Sequence, residues 1–316
     1  CPDCAGEVVF LDEALDDETK RVRDFFPCPH CGSNLTKDTL QRVFETQPDP
    51  ANGKPWKRVK YRPSLISYIA AGKRHEKQPD AFDREILKRI ATMTLPAEMP
   101  TNRFPIEQMY HGSRIEPKGF SNIHHFFLPR AAHALAALWR KAVAHSDARI
   151  RNMLLFFVEQ AIWTTSILNR YQPHGYKQVN KYLPGVYYVP SQTCELSPWY
   201  AIAARGERIT KTFAAFSSMQ KNTGISTGTA ACLGVPNKSI DYIFTDPPFG
   251  ENIYYADLNF LVESWHRVIT DAAPEAIVDR FKKKGLPEYQ NLMRRCFEEY
   301  CRVLKPGRWM TVVFHN

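Results

Sequence analysis

The sequence predicts an α/β fold with a metal-bound ribbon at the amino-terminal end, a helical middle region and an incomplete parallel sheet at the carboxyl-terminal end. Three observations predict it: paired Cys-x-x-Cys motifs, a long apolar helical periodicity, and a strand–helix–helix–strand order from Ser239 to Asn316. The chain has 316 residues, of which 44% are hydrophobic and 24% charged. That is ordinary for a globular protein, and the length suits about two domains with cores of their own. No apolar run approaches the roughly 18 residues a membrane-spanning helix needs, and mean hydropathy is −0.40, so a membrane protein is excluded. No repeat of 20–50 residues and no compositionally disordered stretch is present. Because the chain opens on Cys1, inside a Cys-x-x-Cys motif, it is expected to be a piece of a longer polypeptide. Four segments are expected: a zinc ribbon (1–46), a basic, Pro-rich connector (47–125), a helical region (126–220) and an α/β half (221–316).

The ribbon rests on Cys1-Pro-Asp-Cys4 and Cys28-Pro-His-Cys31. Two residues between thiolates allow a tight turn whose backbone amides point at sulfur. Two such turns supply four soft ligands in a tetrahedron, the preference of structural zinc. Cys1, Cys4, Cys28 and Cys31 are therefore the expected metal ligands, at a closed site that serves structure and not catalysis. Val8-Val9-Phe10-Leu11 and Phe25-Phe26 are expected as short strands, with a loop around Asp16-Asp17-Glu18. His30 lies inside the second knuckle and is expected to face solvent. Cys194, Cys232, Cys296 and Cys301 sit in apolar or helical contexts and are expected as small buried hydrophobes. Nothing signals export or an oxidising compartment, so the expected location is cytoplasmic.

Between Thr46 and Arg62, Pro48, Pro50, Gly53 and Pro55 mark an extended connector. Lys plus Arg number 42 against 33 Asp plus Glu, a net charge of +9, which favours a polyanionic partner. From Lys54 to Lys77 the cations are Lys54, Lys57, Arg58, Lys60, Arg62, Lys73, Arg74 and Lys77, against Glu76 alone. Trp56, Tyr61 and Tyr68 are interleaved, which suits phosphate contacts beside stacking on bases. Lys57, Arg58 and Lys60 are the candidate DNA contacts; a solvated charged loop explains the same residues. Asp80–Ile90 reads as a short helix, and the segment 95–119 is punctuated by Pro and Gly. Apolar residues then recur at three- and four-residue steps from Phe126 to Tyr171, with Ser146-Asp147 breaking or capping the run. Tyr187-Tyr188-Val189 reads as a strand and Ser197–Ser217 as a helix.

From Ser239 the texture is α/β: a strand at Ile240–Thr245, helices at Leu258–Ile269 and Pro287–Leu304, a turn at Lys305–Arg308, and a strand at Trp309–Phe314. The first strand delivers Asp246 to the carboxyl end of the sheet, where open α/β folds place ligands. Pro247 and Pro248 then stiffen the chain and leave carbonyls without competing amides, and Phe249 supplies a flat ring. Asp246 and the Pro247 carbonyl could accept the two hydrogens of an exocyclic amine while its base stacks on Phe249. Acceptance of both hydrogens would turn the nitrogen lone pair toward an electrophilic methyl group.

Asp246-Pro247-Pro248-Phe249 after an apolar strand resembles the catalytic motif of amino-group DNA methyltransferases. Asp in the first place is closer to the adenine-directed members than to the Ser-Pro-Pro type associated with cytosine. Glu251–Phe260 and Tyr300–His315 resemble the segments that follow the motif, and the ribbon resembles that of bacterial adenine-specific DNA methylases containing a Zn-ribbon. The resemblance implies an incomplete Rossmann-like methyltransferase sheet, S-adenosylmethionine as cofactor, methylation of adenine N6 in a flipped-out base of double-stranded DNA, and a restriction–modification role with restriction or defence-system partner proteins. It implies Asp246, Pro247, Pro248 and Phe249 as catalytic residues and Tyr255 and Asn259 among the substrate-binding ones; Tyr254 and Asp257 follow the motif as closely. Helix-start packing explains these four equally well, and Trp265 and His266 are expected in the core. The family's Phe-x-Gly-x-Gly cofactor loop is not found, since Gly224, Gly228 and Gly234 are wrongly spaced. Cofactor-binding residues are therefore unassigned. Related motifs act on RNA bases or protein amides, and a non-catalytic zinc-ribbon nucleic-acid-binding module is the alternative from another class.

Overall fold

The computed structural model describes residues 1–16, 18–19, 21–172, 186–216 and 222–315. Asp17, Ser217 and Lys221, which bound expected features, lie outside them. The chain is mixed α/β and divides into two compact units. Unit 1 comprises Cys1–Phe104 and Arg114–Thr212; unit 2 comprises Pro105–Ser113 and Phe213–Asn316. Among the described residues no helix is long and apolar enough to cross a membrane.

Unit 1 begins with a one-turn helix α1 (Phe10–Ala14) and the antiparallel pair β1 (Phe26–Pro27) and β2 (Asn34–Leu35). The expected strand at Val8–Leu11 is thus replaced by a helix start. A helical turn sets Phe10 and Ala14, four residues apart, on one side, and both join Phe26, Cys28 and Leu35 in a small core. Phe10 meets the Phe26 ring edge-on at 5.9 Å.

The expected connector is a paired hairpin, β3 (Phe44–Pro48) with β4 (Pro55–Val59). Its prolines fit because Pro48 and Pro55 form the last pair of the ladder, beside the turn, where the missing amides cost least. A second hairpin follows, β5 (Ile66–Ala70) with β6 (Lys73–Lys77). Helix α2 (Ala81–Ala91) starts where expected, with the Asp80 carboxylate accepting the Asp83 amide at 3.0 Å. A single 3-10 turn (Ile106–Gln108), the short α3 (Gly112–Ile115) and further 3-10 turns (Glu116–Lys118, Ile123–Phe126) occupy the Pro- and Gly-punctuated stretch and its continuation.

The helical region is α4 (Pro129–Val143), α5 (Ala148–Glu159) and the single turn α6 (Ile162–Thr165). Asp147 caps α5, accepting the Arg149 and Ile150 amides at 2.9 Å, so the break falls where the sequence places it. Ala131, Ala132, Leu135, Ala136, Trp139 and Ala142 form the buried stripe of α4. Tyr187 is not in a strand. It is 1% exposed and packs its ring against Phe104, Phe126 and Trp163, so its aromatic volume went to the core. Helix α7 (Pro198–Phe216) is the longest among the described residues.

In unit 2, β7 (Ile240–Thr245) and β8 (Leu304–Val312) pair in parallel, and the chain between them carries α8 (Tyr255–His266) and α9 (Leu286–Val303). Ile240 pairs with Leu304 but Tyr242 with Trp309, so Lys305–Arg308 bulges opposite Asp241. Lys305 and Arg308 both reach that carboxylate, at 2.8 and 3.2 Å. Cys232 and Cys301 are exposed and Cys194 and Cys296 half-buried, contrary to the expectation of four buried thiols. Apolar neighbours in sequence did not place these side chains inside.

Candidate functional site

The two Cys-x-x-Cys segments fold into the same turn. Ala5 N donates to Cys1 O and Gly32 N to Cys28 O, and Ala5 and Gly32 both take left-handed backbone angles. Amides point at sulfur as the spacing predicts, Gly6 N to Cys4 Sγ and His30 N to Cys28 Sγ, each at 3.4 Å. Cys1 and Cys31 sulfurs lie 3.8 Å apart, Cys4 and Cys28 sulfurs 3.7 Å, and all four are within 4.8 Å of one another. A tetrahedral ion with sulfurs at about 2.3 Å sets them about 3.8 Å apart. The four cysteines are thus close enough to hold a metal ion, consistent with structural zinc. The Cys31 thiol is lowered to about 7 by hydrogen bonding with the Ser33 side chain and amide, which favours the thiolate a metal needs. His30 is not a fifth candidate. Its Nε2 lies 2.9 Å from the Glu7 carbonyl, and its ring lies over Gly6, where a Cβ would come within 2.4 Å.

The Asp246–Phe249 turn leaves β7 at the surface: Asp246 is exposed and Pro247, Pro248 and Phe249 half-buried. The Tyr289 hydroxyl of α9 donates to the Pro248 carbonyl at 2.7 Å, holding the turn from below. No donor among the described residues engages the Asp246 carboxylate or the Pro247 carbonyl. Phe249 meets Phe314, just beyond β8, edge-on at 5.5 Å. Thr245 Oγ1 and Tyr300 Oη, 3.3 Å apart, join the strand end to α9.

Tyr255 and Asn259 lie exposed at the start of α8. Tyr254 and Asp257 are instead structural. Tyr254 stacks on Tyr110 at 4.7 Å, and buried Asp257 holds Lys282 at 2.7 Å while accepting the Tyr110 amide at 3.2 Å. Lys282 also reaches Asp279 at 2.8 Å and the Gln108 carbonyl at 3.0 Å. Burial alone would lower the Lys282 pKa, but the two carboxylates reverse that and raise it, so the cation is kept. Trp265 is buried and His266 half-buried.

Of the three cations expected on nucleic acid, two are held by carboxylates. Arg58 Nε meets Glu45 at 2.8 Å, and Lys60 meets both Glu7 oxygens at 2.7 Å. Lys57 is exposed, its ammonium 5.2 Å from the Phe44 ring centroid. Trp56 and Tyr61 are not open stacking platforms. Trp56 is buried, its ring stacked on His125 at 4.0 Å and its Nε1 donating to Gly119 O at 2.6 Å. Burial pushes the Tyr61 hydroxyl up to about 12. Gly119 is required there. Its φ is +90, and a Cβ would come within 2.3 Å of Lys57 O.

Sequence reasoning missed a second cluster, Asp49 with His124 and His125, all buried. Each imidazole Nε2 lies 2.9 Å from a different oxygen of the one carboxylate. The three residue types suit a metal, but the ring partners do not. His125 Nδ1 accepts the amides of Ser121 and Asn122, so its proton sits on Nε2 and is donated to Asp49. His124 Nδ1 has no partner among the described residues, whereas a ligating imidazole ordinarily donates its other nitrogen. The cluster is a hydrogen-bonded lock that ties the β3–β4 turn to the Ile123–Phe126 turn. The only signal in sequence was Asp49 opening the Pro-Ala-Asn-Gly turn; the adjacent histidines carried no periodicity.

Comparison of this chain with models of protein families, with curated proteins and with solved structures finds no match.

Three outcomes are expected. Purified chain should carry about one zinc, and Cys28→Ser or Cys31→Ser should reduce metal, measured by elemental analysis, to a small fraction of that. Tyr289→Phe should destabilise by about 1 kcal/mol in a denaturant titration, since it removes one hydrogen bond to a half-buried carbonyl. The third concerns pH. Burial holds His125 down at about 4 and lowers His124, while an unfolded histidine titrates near about 6.5. Below that value the unfolded chain binds protons that the folded one refuses, so stability falls as pH drops from about 6.5 to about 4. Thermal melts should show that decline, and a shallower one in His125→Gln; a flat profile refutes the lock.

Proposed function

We propose that this chain carries the base-binding half of an S-adenosylmethionine-dependent methyltransferase that modifies the exocyclic amine of adenine in DNA, next to a structural zinc ribbon. One observation carries the reading: Asp246 and the Pro247 carbonyl are unengaged acceptors at the exposed carboxyl end of a parallel strand, while Tyr289 fixes the neighbouring Pro248 carbonyl. Two fixed acceptors beside an aromatic ring match a planar base bearing an amine with two hydrogens. The parallel β7–β8 pair and its intervening helices support placing this half within a Rossmann-like sheet.

In this reading the adenine leaves the duplex stack, at a cost of a few kcal/mol. Stacking on Phe249, worth about 1–3 kcal/mol, offsets part of that. Asp246 and Pro247 accept the two amine hydrogens and so orient the lone pair, and the exposed Asp246 carboxylate can pass the released proton to water. Preorganised acceptors and fixed orientation are the terms by which such a site accelerates transfer. S-adenosylmethionine supplies the electrophilic methyl group when bound. Gly224, Gly228 and Gly234 do not fit its cradle, because nothing lies within 4 Å of where their Cβ atoms would be, so no residue here is assigned to it.

Transfer of tritiated methyl groups by the full-length protein to duplex DNA, RNA and protein tests the reading. Label should enter adenine in duplex DNA, and Asp246→Ala should abolish it, with zinc content unchanged. Full activity of Asp246→Ala would sink the reading. Label in RNA or protein alone would move the substrate to that class, and no transfer at all would favour a non-catalytic zinc-ribbon module.

A further inference from the structure

We propose that the β5–β6 hairpin is a ribbon that enters the major groove of duplex DNA. The proposal rests on the reading above for its partner and names the element that grips it. The hairpin pairs over five residues, from Ile66↔Lys77 to Ala70↔Lys73. Ala71 and Gly72 join the strands with φ of +48 and +73, the two positive angles of a tight hairpin turn.

The exposure of this ribbon sets it apart. Every residue from Tyr68 to Glu76 is exposed, so neither face is buried against the body of unit 1. A two-stranded hairpin is marginal in water without something packed on a face. Opposed residues in an antiparallel pair share a face. One face therefore carries Tyr68 stacked on His75 at 5.4 Å, with Lys73 two pairs nearer the tip. The other carries Ile69, 56% exposed, opposite Arg74, whose Nε donates to Ser67 at 3.0 Å and which also pairs with Glu76. Lys73 has no ionic partner among the described residues.

Charge and shape choose the occupant. The stretch from Lys54 to Lys77 holds eight cations against Glu76, but Arg58 and Lys60 on and beside β4 are neutralised by Glu45 and Glu7, and Trp56 is buried. On β5–β6 itself Arg74 pairs with Glu76 and Lys77 with Asp80 and Asp83, which leaves Lys73, beside the exposed Tyr68 ring, as the hairpin's cation without an ionic partner among the described residues. The B-DNA major groove, about 12 Å wide, admits a two-stranded ribbon, whereas that of A-form RNA is too narrow for side-chain reading. Tyr68 and His75, on one face, would meet base edges, and Lys73 a phosphate.

Fluorescence anisotropy of the chain with a labelled duplex DNA, in the absence of methyl donor and across a salt series, tests this. The double variant Tyr68→Ala/Lys73→Ala should weaken binding about tenfold or more and reduce the salt slope by about one. Both side chains are exposed, so zinc content and melting temperature should hold. Wild-type affinity in the double variant, or equal affinity for double-stranded RNA, overturns the proposal. Methyl transfer separates it from the reading above: adenine labelling with unaltered binding by the hairpin variant defeats the ribbon alone, and labelling of protein only, with lost DNA binding by the variant, defeats the adenine reading alone.

Discussion

Every sheet among the described residues has two strands, and a two-stranded sheet cannot bury a core of its own. Three of these pairs are held by a particular side-chain interaction besides the ladder itself. The β1–β2 pair buries Phe26 and Leu35 with Ala14 and Cys28 and has four thiols beside it. The β3–β4 pair is held through Asp49 to His124 and His125 and through Trp56 to Gly119. The β7–β8 pair is joined across its bulge by Lys305 and Arg308 at Asp241. The β5–β6 hairpin presents both faces of its outer part to solvent.

The same economy governs the buried charges. Asp49 and Asp257 are each enclosed, and each keeps its carboxylate satisfied from several directions. Asp49 accepts from two imidazoles and the Ala51 amide; Asp257 accepts from Lys282 and the Tyr110 amide. Burial raises the Asp257 pKa despite the ammonium beside it. Removing one partner of such a group would leave an uncompensated buried charge, which costs more than the contact itself contributes. These residues fix turns. Asp246, by contrast, is exposed at its strand end with no partner among the described residues, which is why it and not Asp257 anchors the catalytic reading.

The faces of β7 and β8 carry large exposed rings. Tyr242, Phe244 and Trp309 are 54%, 64% and 79% exposed on strands that pair in parallel, and parallel sheets ordinarily have both faces covered. The adjacent turn keeps its geometry without such cover, because Tyr289 holds Pro248 and Phe314 packs against Phe249.

The metal knuckles, the start of α2, the α5 cap, the helical stripe of α4 and the strand–helix–helix–strand order were legible in the sequence. Each is a local rule: a ligand spacing, a side chain that can accept an amide, a period of 3.6, or an apolar run of strand length. The Asp-Pro-Pro-Phe turn was legible for the same reason, since proline restricts its own backbone. Which side chains would be consumed by packing was not legible. Trp56 and Tyr61 read as open rings beside cations but were drawn inside, Arg58 and Lys60 met carboxylates 13 and 53 residues away, and Cys232 and Cys301 stayed outside. Asp49 met its histidines 75 and 76 residues away. Local backbone chemistry is written in neighbouring residues; partners brought together across such separations are chosen only when the chain folds.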